Sequence, residues 1–303
     1  MTILVTGATG NVGRHVVDLL VRAGVNVRAT SRDPESLDLP AEVDVRRADL
    51  TDPKTFEQAL HGVEKVFLYA QPSGIEEVVE LAKAAGVKYA VLLSSLAAAG
   101  RDPSHWVARW HRAVEDSIER SGLSWTFVRP GAFAANSLQW AKAIKAEEPV
   151  RLLYAYSYLS SIHELDIAEV SACALLQDGH AGARYHITGG DSITQAEQLA
   201  LIGKAIGREL AFEDLTGDDA RAVFRERIGS RLEELVQDGT IDRTDTPEII
   251  ETRIRYYVAA LEGPVEIDGT VEKVLGKPAR TFAEWAMDHK ADFTNQGAGD
   301  CTN

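Results

Sequence analysis

Cysteine is nearly absent from this chain: Cys173 and Cys301 are the two in 303 residues, and they stand far apart. They offer no disulfide framework, and nothing in their spacing suggests a metal site. Cys173 lies in an apolar helical stretch and reads as a buried free thiol, whereas Cys301 falls in a tail without periodicity. An excess of positive charge is missing too. Lys and Arg number 32 against 46 Asp and Glu, a net charge of −14. Neither nucleic acid nor an anionic membrane surface is therefore an expected partner, since both demand a basic face. No apolar run approaches the roughly 20 residues of a membrane span. The chain starts at once on a strand-like segment instead of a leader, so the location reads as cytoplasmic. Internal repeats and low-complexity linkers are lacking as well. The hydrophobic content of 45% is ordinary for a globular protein and sufficient for a full core. A chain of this length suits one large α/β domain or a domain with a cap.

What the sequence does contain is concentrated at its start. An apolar run over residues 1–5 breaks into Gly7, Gly10 and Gly13, and Val12, Val16, Leu19 and Leu20 then recur at helical spacing. That order is strand, tight turn, amphipathic helix, as a dinucleotide site requires. Gly7 lets the chain turn, Gly10 lets backbone approach a pyrophosphate, and Gly13 lets the helix pack on the strand. The N–H groups at the helix start face the phosphates. Thr9, Asn11 and Val12 complete this candidate loop.

Alternation of strands and helices continues through the first half. Strands are expected at 25–30, 43–48, 63–70, 87–94 and 124–128. Asp52-Pro53 signals a helix start, and helices are expected to end at Gly86 and Gly122. Alternation of this kind implies a parallel sheet with helices on both faces, and ligands at the carboxyl ends of its strands. After Pro130 the pattern becomes irregular. A helix over 136–146, a strand over 153–159 with Tyr154, Tyr156 and Tyr158 on one face, and a helix N-capped by Asp166 are expected. A strand over 184–188 and a helix opened by a Thr194/Glu197 capping box follow. Residues 215–290 read as largely helical.

The Thr-Gly-Ala-Thr-Gly-Asn-Val-Gly loop resembles that of the atypical short-chain dehydrogenases/reductases. VRATSRDP (27–34), ADLTDPKTF (48–56), SGLSWTFVRPGAF (121–133), residues 185–215 and GKPARTFAEWAMDH (276–289) narrow the resemblance to the NmrA-like group. It implies a doubly wound parallel Rossmann sheet as NAD(P)-binding core over 1–130. A smaller, mainly helical substrate-side region over 131–291 would close over the cofactor, and 292–303 would form a disordered tail.

Cofactor choice turns on the end of the second strand. An acidic residue there would bond the ribose of NAD; this chain has Thr30-Ser31-Arg32 instead. A guanidinium takes a 2′-phosphate bidentately and Ser31 adds a donor, so NADP(H) is expected over NAD(H). Asp33 would weaken this if it pointed inward. The resemblance assigns Arg32 to the 2′-phosphate, and Asp49 with Leu50 to the adenine; an ordinary loop-capping role for Asp49 is the alternative. Ala70, Gln71 and Pro72 end the fourth strand and should border the ribose and nicotinamide.

Catalysis is where the chain departs from the wider superfamily. Ser94 and Ser95 stand at the place of its serine, with Ser94 assigned to the cofactor and Ser95 to catalysis. The Tyr-x-x-x-Lys pair is absent, because Val107 falls at the tyrosine position and His111 at the lysine position. His111 becomes the candidate proton donor or ribose ligand, with a helix-surface histidine as the alternative. His105, Trp106 and Trp110 lie within two turns of it. Trp110, Phe133, Asn136 and His163 are the candidate substrate contacts, against core packing or capping.

Three readings follow: an NADP(H)-dependent reductase of a quinone, enone, carbonyl or imine; an NADP(H)-binding sensor acting through a protein partner; or an isomerase or lyase on the same scaffold. A missing tyrosine suits the first, since solvent can complete the reduction of a conjugated acceptor. A small-molecule substrate is the expected partner, a homodimer is compatible, and no metal is expected.

Overall fold

The computed structural model describes residues 1–37, 39–100, 105–237 and 243–295. Cys301 and the tail beyond 295 lie outside the described residues. Two compact units emerge, each built from separate stretches of chain. The first comprises Met1–Gly131, Glu164–Ile187 and Asp268–Pro278, the second Ala132–His163, Thr188–Ile267 and Ala279–Asn303. No helix among the described residues is long and apolar enough to cross a membrane.

With strands numbered along the chain, the first unit holds β1 (Thr2–Val5), β2 (Asn26–Ser31), β3 (Asp44–Arg47), β4 (Lys65–Tyr69), β5 (Tyr89–Leu93), β6 (Ser124–Pro130) and β9 (Ala183–Ile187). They form a sheet in the order β3-β2-β1-β4-β5-β6-β9, every neighbouring pair parallel. Parallel neighbours need crossovers, supplied by α1 (Gly13–Arg22), α2 (Phe56–Ala59), α3 (Ile75–Ala84), α4 (Trp106–Ser121) and α6 (Glu164–Leu176); α10 (Thr270–Leu275) comes last. α1 packs beside α6, and α3 beside α4. Helices on both faces explain why β5 is buried from Tyr89 through Leu92. α3 buries Ile75, Val78, Val79 and Ala82, spaced along one stripe. At about 1.5–3 kcal/mol for each large side chain, that stripe outweighs its cap, since Gly74 offers no side-chain bond. The strand order reverses at β1, between β2 and β4, and that is where a doubly wound sheet places its ligand.

The second unit contains α5 (Ala141–Lys145), β7 (Val150–Leu153), β8 (Tyr158–Leu159), β10 (Ile193–Thr194), α7 (Gln195–Ile206), β11 (Phe212–Leu215), α8 (Gly217–Gln237), α9 (Thr246–Ala259) and α11 (Phe282–Asp288). β7 pairs parallel with β11, and β8 antiparallel with β10. One core gathers Trp140, Ile144, Leu152, Leu199, Ile202, Phe282, Trp285 and Phe293. A second gathers Leu153, Ala220, Val223, Ile250 and Ile254 between α8 and α9. The Thr194/Glu197 capping box opens α7 as expected.

Several local expectations are corrected. Asp52-Pro53 starts a single 3-10 turn before the short α2. The Asp52 side chain caps nothing, and the Thr55 hydroxyl instead donates to the Asp52 carbonyl at 2.6 Å. The 136–146 helix begins as a 3-10 segment, Ala134–Trp140, and turns α-helical only at Ala141. The tyrosine-rich strand does not exist as one element. Tyr154 sits at φ +55°, and Ser157 closes a turn on its carbonyl through both its N–H (2.9 Å) and its hydroxyl (2.8 Å). Tyr156 is consequently exposed, while Tyr154 is buried. Asp166 is no N-cap but a buried residue in the first turn of α6. The chain also stays ordered past 292: Lys290–Phe293 forms a 3-10 turn because Phe293 inserts against Trp285.

Candidate functional site

The turn after β1 is held by its own backbone. Gly7 adopts φ +61°, and the Gly10 N–H donates to the Gly7 carbonyl at 2.9 Å. A β-carbon on Gly13 would lie 2.1 Å from the Gly7 oxygen, so no other residue fits there. Thr9, Gly10 and Asn11 are exposed, while Val12 is buried beneath them. α1 starts with neither a side-chain cap nor an acidic residue in its first turn. Its open N–H groups and dipole are therefore available to an anion. Thr6 ties this turn to β4: its hydroxyl donates to the Phe67 carbonyl and accepts from the Tyr69 N–H, both at 3.1 Å. The Tyr69 ring lies against Gly7. Sequence reasoning passed over Thr6 and Tyr69, although each flanks a residue it did single out.

At the end of β2, the Ser31 hydroxyl accepts from the Asp33 N–H at 3.1 Å, turning the chain. Arg32 is exposed and forms no ion pair among the described residues. After β3, one Asp49 oxygen accepts from the Thr51 N–H (2.9 Å) and hydroxyl (2.8 Å), as a loop cap does. Leu50 is buried.

The end of β4 meets α4. The Trp110 indole donates to the Ala70 carbonyl at 3.0 Å, and Pro72 follows half-buried. The Gln71 amide oxygen and His111 Nδ1 are buried with no hydrogen-bond partner among the described residues. An unsatisfied buried polar atom costs about 1–3 kcal/mol, so a ligand group that donates to the Gln71 oxygen and pairs with the His111 nitrogen would be favoured here. Burial, partly offset by the Glu115 carboxylate, lowers the His111 imidazole to about 4. It is neutral near pH 7. His105 Nδ1 caps α4 by accepting from the Ala108 N–H at 3.3 Å, and Trp106 packs edge-on against Trp110.

Both serines also make structural bonds. Ser94 donates to Glu115, which is buried and also accepts from Arg129 at 2.9 and 2.5 Å. Ser95 accepts from the Ala97 N–H at 3.2 Å, capping a 3-10 turn. The structure thus brings the glycine loop, Gln71 and His111 into one unit; the Ser94 hydroxyl donates to Glu115, while the Ser95 oxygen accepts from backbone and keeps its proton available to donate.

Within the second unit, a shallow cleft is lined by Phe133, Asn136, Trp140, Arg253, Tyr256 and Tyr257 among others. Phe133 and Asn136 were expected at a ligand; Arg253 and the α9 tyrosines were not, since no motif marks them. His163 lies elsewhere. It is 2% exposed, with Nε2 3.3 Å from an Asp288 carboxylate oxygen, and does not line the cleft.

The pattern of the NAD(P)H-binding family matches residues 7–178. A (4-alkanoyl-5-oxo-2,5-dihydrofuran-3-yl)methyl phosphate reductase of Streptomyces griseus is 35% identical over 96% of this chain and 99% of its own. An NAD(P)H azoreductase of Xenophilus azovorans is 33% identical over 96% and 99%. The crystal structure of an NADPH-dependent quinone oxidoreductase from Escherichia coli superposes with a TM-score of 0.74 at 26% identity, covering 94% of this chain and 98% of that one.

Proposed function

This chain belongs to the NAD(P)H-binding family, in its NmrA-like branch of atypical short-chain dehydrogenases/reductases, and from that premise we propose that it is an NADPH-dependent reductase of a small conjugated acceptor. The observation that carries the reading is the glycine cradle, where a Gly13 side chain has no room and the start of α1 has no cap. The backbone of residues 7–13 would hold the pyrophosphate. Arg32 and Ser31 would hold the 2′-phosphate, the basis for NADPH over NADH. Asp49 and Leu50 would border the adenine. Ala70, Gln71 and Pro72 would border the nicotinamide ribose, with the open Gln71 oxygen and His111 nitrogen as acceptors for its hydroxyl or amide donors.

When bound, the reduced cofactor supplies a hydride, and one proton from solvent completes the two-electron reduction. His111 is neutral near pH 7, so it orients a ligand by hydrogen bonding and does not serve as a cationic acid. Ser94 acts as a structural residue through Glu115, and the Ser95 hydroxyl would be the serine donor available to a ligand. Acceptors whose reduced oxygen or nitrogen anion is weakly basic fit such a site: quinones, enones, imines and azo compounds. The relatives that reduce a dihydrofuranone phosphate, an azo compound or a quinone support this class.

The commitment of Ser94 to Glu115 favours a second reading, a cofactor-binding sensor that performs no turnover. One assay separates them: NADPH oxidation by the purified protein, with NADH in parallel, against quinones, enones, aldehydes, imines and azo dyes. Turnover on any of these acceptors supports the reductase. Tight NADPH binding without turnover overturns it in favour of the sensor.

A further inference from the structure

Arg221, Arg227 and Arg255 on α8 and α9 find partners, whereas among the described residues the exposed Arg225 and the half-buried Arg253 do not. Arg221 grips Glu251 through two bonds of 2.7 and 3.1 Å, and Arg255 meets Glu248 at 2.5 Å. Arg227 donates to Gln139 at 3.2 Å and to the Arg151 carbonyl. Arg253 forms no hydrogen bond or ion pair among the described residues. Its guanidinium lies 5.9 Å from the Phe224 ring centroid and 5.8 Å from those of Tyr256 and Tyr257. Aromatic faces attract a cation but leave its five N–H donors without acceptors.

This arginine lines the cleft of the second unit, and no carboxylate is among the residues lining that cleft. Trp140 lines it as well; its indole N–H is buried and has no acceptor among the described residues. The side chain is 3% exposed overall. A half-buried cation and a buried donor left open together are unfavourable unless an acceptor arrives. In a chain of net charge −14, carboxylates were plentiful enough to neutralise Arg253 had that been its role.

We propose that this cleft binds a flat aromatic or conjugated acceptor carrying an oxyanion, carboxylate, phosphate or sulfonate, with Arg253 as the counter-ion that selects for it. The substrate role rests on the reductase reading; the charge preference rests on the cleft alone. A guanidinium engages two oxygens of such a group at once, which a neutral amide or ester cannot match. Phe133, Tyr256 and Tyr257 supply aromatic surface for the body of the ligand.

The direct test is calorimetric binding of 2-naphthoate and of its neutral analogue 2-naphthamide. Saturating NADP+ keeps both probes from the dinucleotide loop. The unaltered protein should prefer the carboxylate by at least about tenfold, the value of one charge-assisted pair. Arg253→Gln should abolish that preference, Arg253→Lys should restore part of it, and the control Arg255→Gln should leave it intact. Unchanged circular dichroism and melting temperature confirm that each variant is folded. Equal binding of the two probes, no binding of 2-naphthoate, or a preference surviving in Arg253→Gln overturns the proposal. A second arm uses NADPH with methyl red and its methyl ester: the acid-to-ester ratio of kcat/KM should fall about tenfold in Arg253→Gln. If neither dye nor any other acceptor turns over, the reductase reading fails, while the calorimetry still decides the anion site.

Discussion

Arg129 and Glu115 meet side-on inside the first unit, Nε to Oε1 at 2.9 Å and Nη2 to Oε2 at 2.5 Å, each side chain less than a tenth exposed. Ser94 completes the arrangement by donating to the same carboxylate. Glu115→Ala would leave a guanidinium buried without its anion, and the expected loss is about 3–5 kcal/mol in urea unfolding. The double variant Glu115→Leu/Arg129→Met should lose less than the single one. A single variant within 0.5 kcal/mol of the parent, an order-of-magnitude threshold for a neutral surface change, would show the pair to be dispensable.

Gly13 is expected to tolerate no side chain. Gly13→Ala must move the Gly7 carbonyl, which is backbone, and so deform the turn. NADPH affinity, read by nucleotide fluorescence, should fall by more than about tenfold, or the protein should lose roughly 1–3 kcal/mol of stability through overpacking. Parent-like values for both would mean that the turn relaxes freely.

Arg32 separates the two nicotinamide cofactors. Arg32→Ala should weaken NADPH about 10–100-fold, as loss of a charge-assisted pair does, with NADH changed little. Equal losses for both would remove the 2′-phosphate assignment.

His111 leaves a signature in pH. Its folded value of about 4 lies below the ordinary 6.5, so the unfolded chain takes up the proton first. The stability present above pH 6.5 is therefore lost as pH falls through this window, by roughly 3 kcal/mol in full. His111→Phe should flatten the stability profile there. The kcat profile should also lack an inflection near pH 6.5. An inflection that disappears in the variant would restore the imidazole as a cationic acid.

The legible parts of this protein are those whose cause is local. Gly7, Gly10 and Gly13 announce their turn because backbone sterics act within a few residues, and Thr194 and Glu197 announce a helix start for the same reason. The parallel sheet is readable from the alternation of strand and helix segments, since its central strands β1, β4, β5 and β6 are largely buried on both faces. Tyr154 misleads because strand spacing is visible in sequence and a positive φ at tyrosine is not. Arg253 stays silent because its partners Phe224, Tyr256 and Tyr257 come from two helices, and an unpaired arginine looks like any other in one dimension. Ser94 reads from sequence as a cofactor residue because Glu115, which accepts its hydrogen bond, lies on another element.

The edge strand β9 bears on how the chain is synthesised. β9 completes the sheet beside β6, yet it follows the whole of Ala132–His163, which belongs to the other unit. As the chain leaves the ribosome, β6 waits with its outer N–H and C=O groups unpaired, an open edge of the kind that recruits stray strands. A fragment ending at Gly131 would keep that edge permanently, despite carrying the complete glycine turn. Its cofactor loop would be intact and its solubility poor.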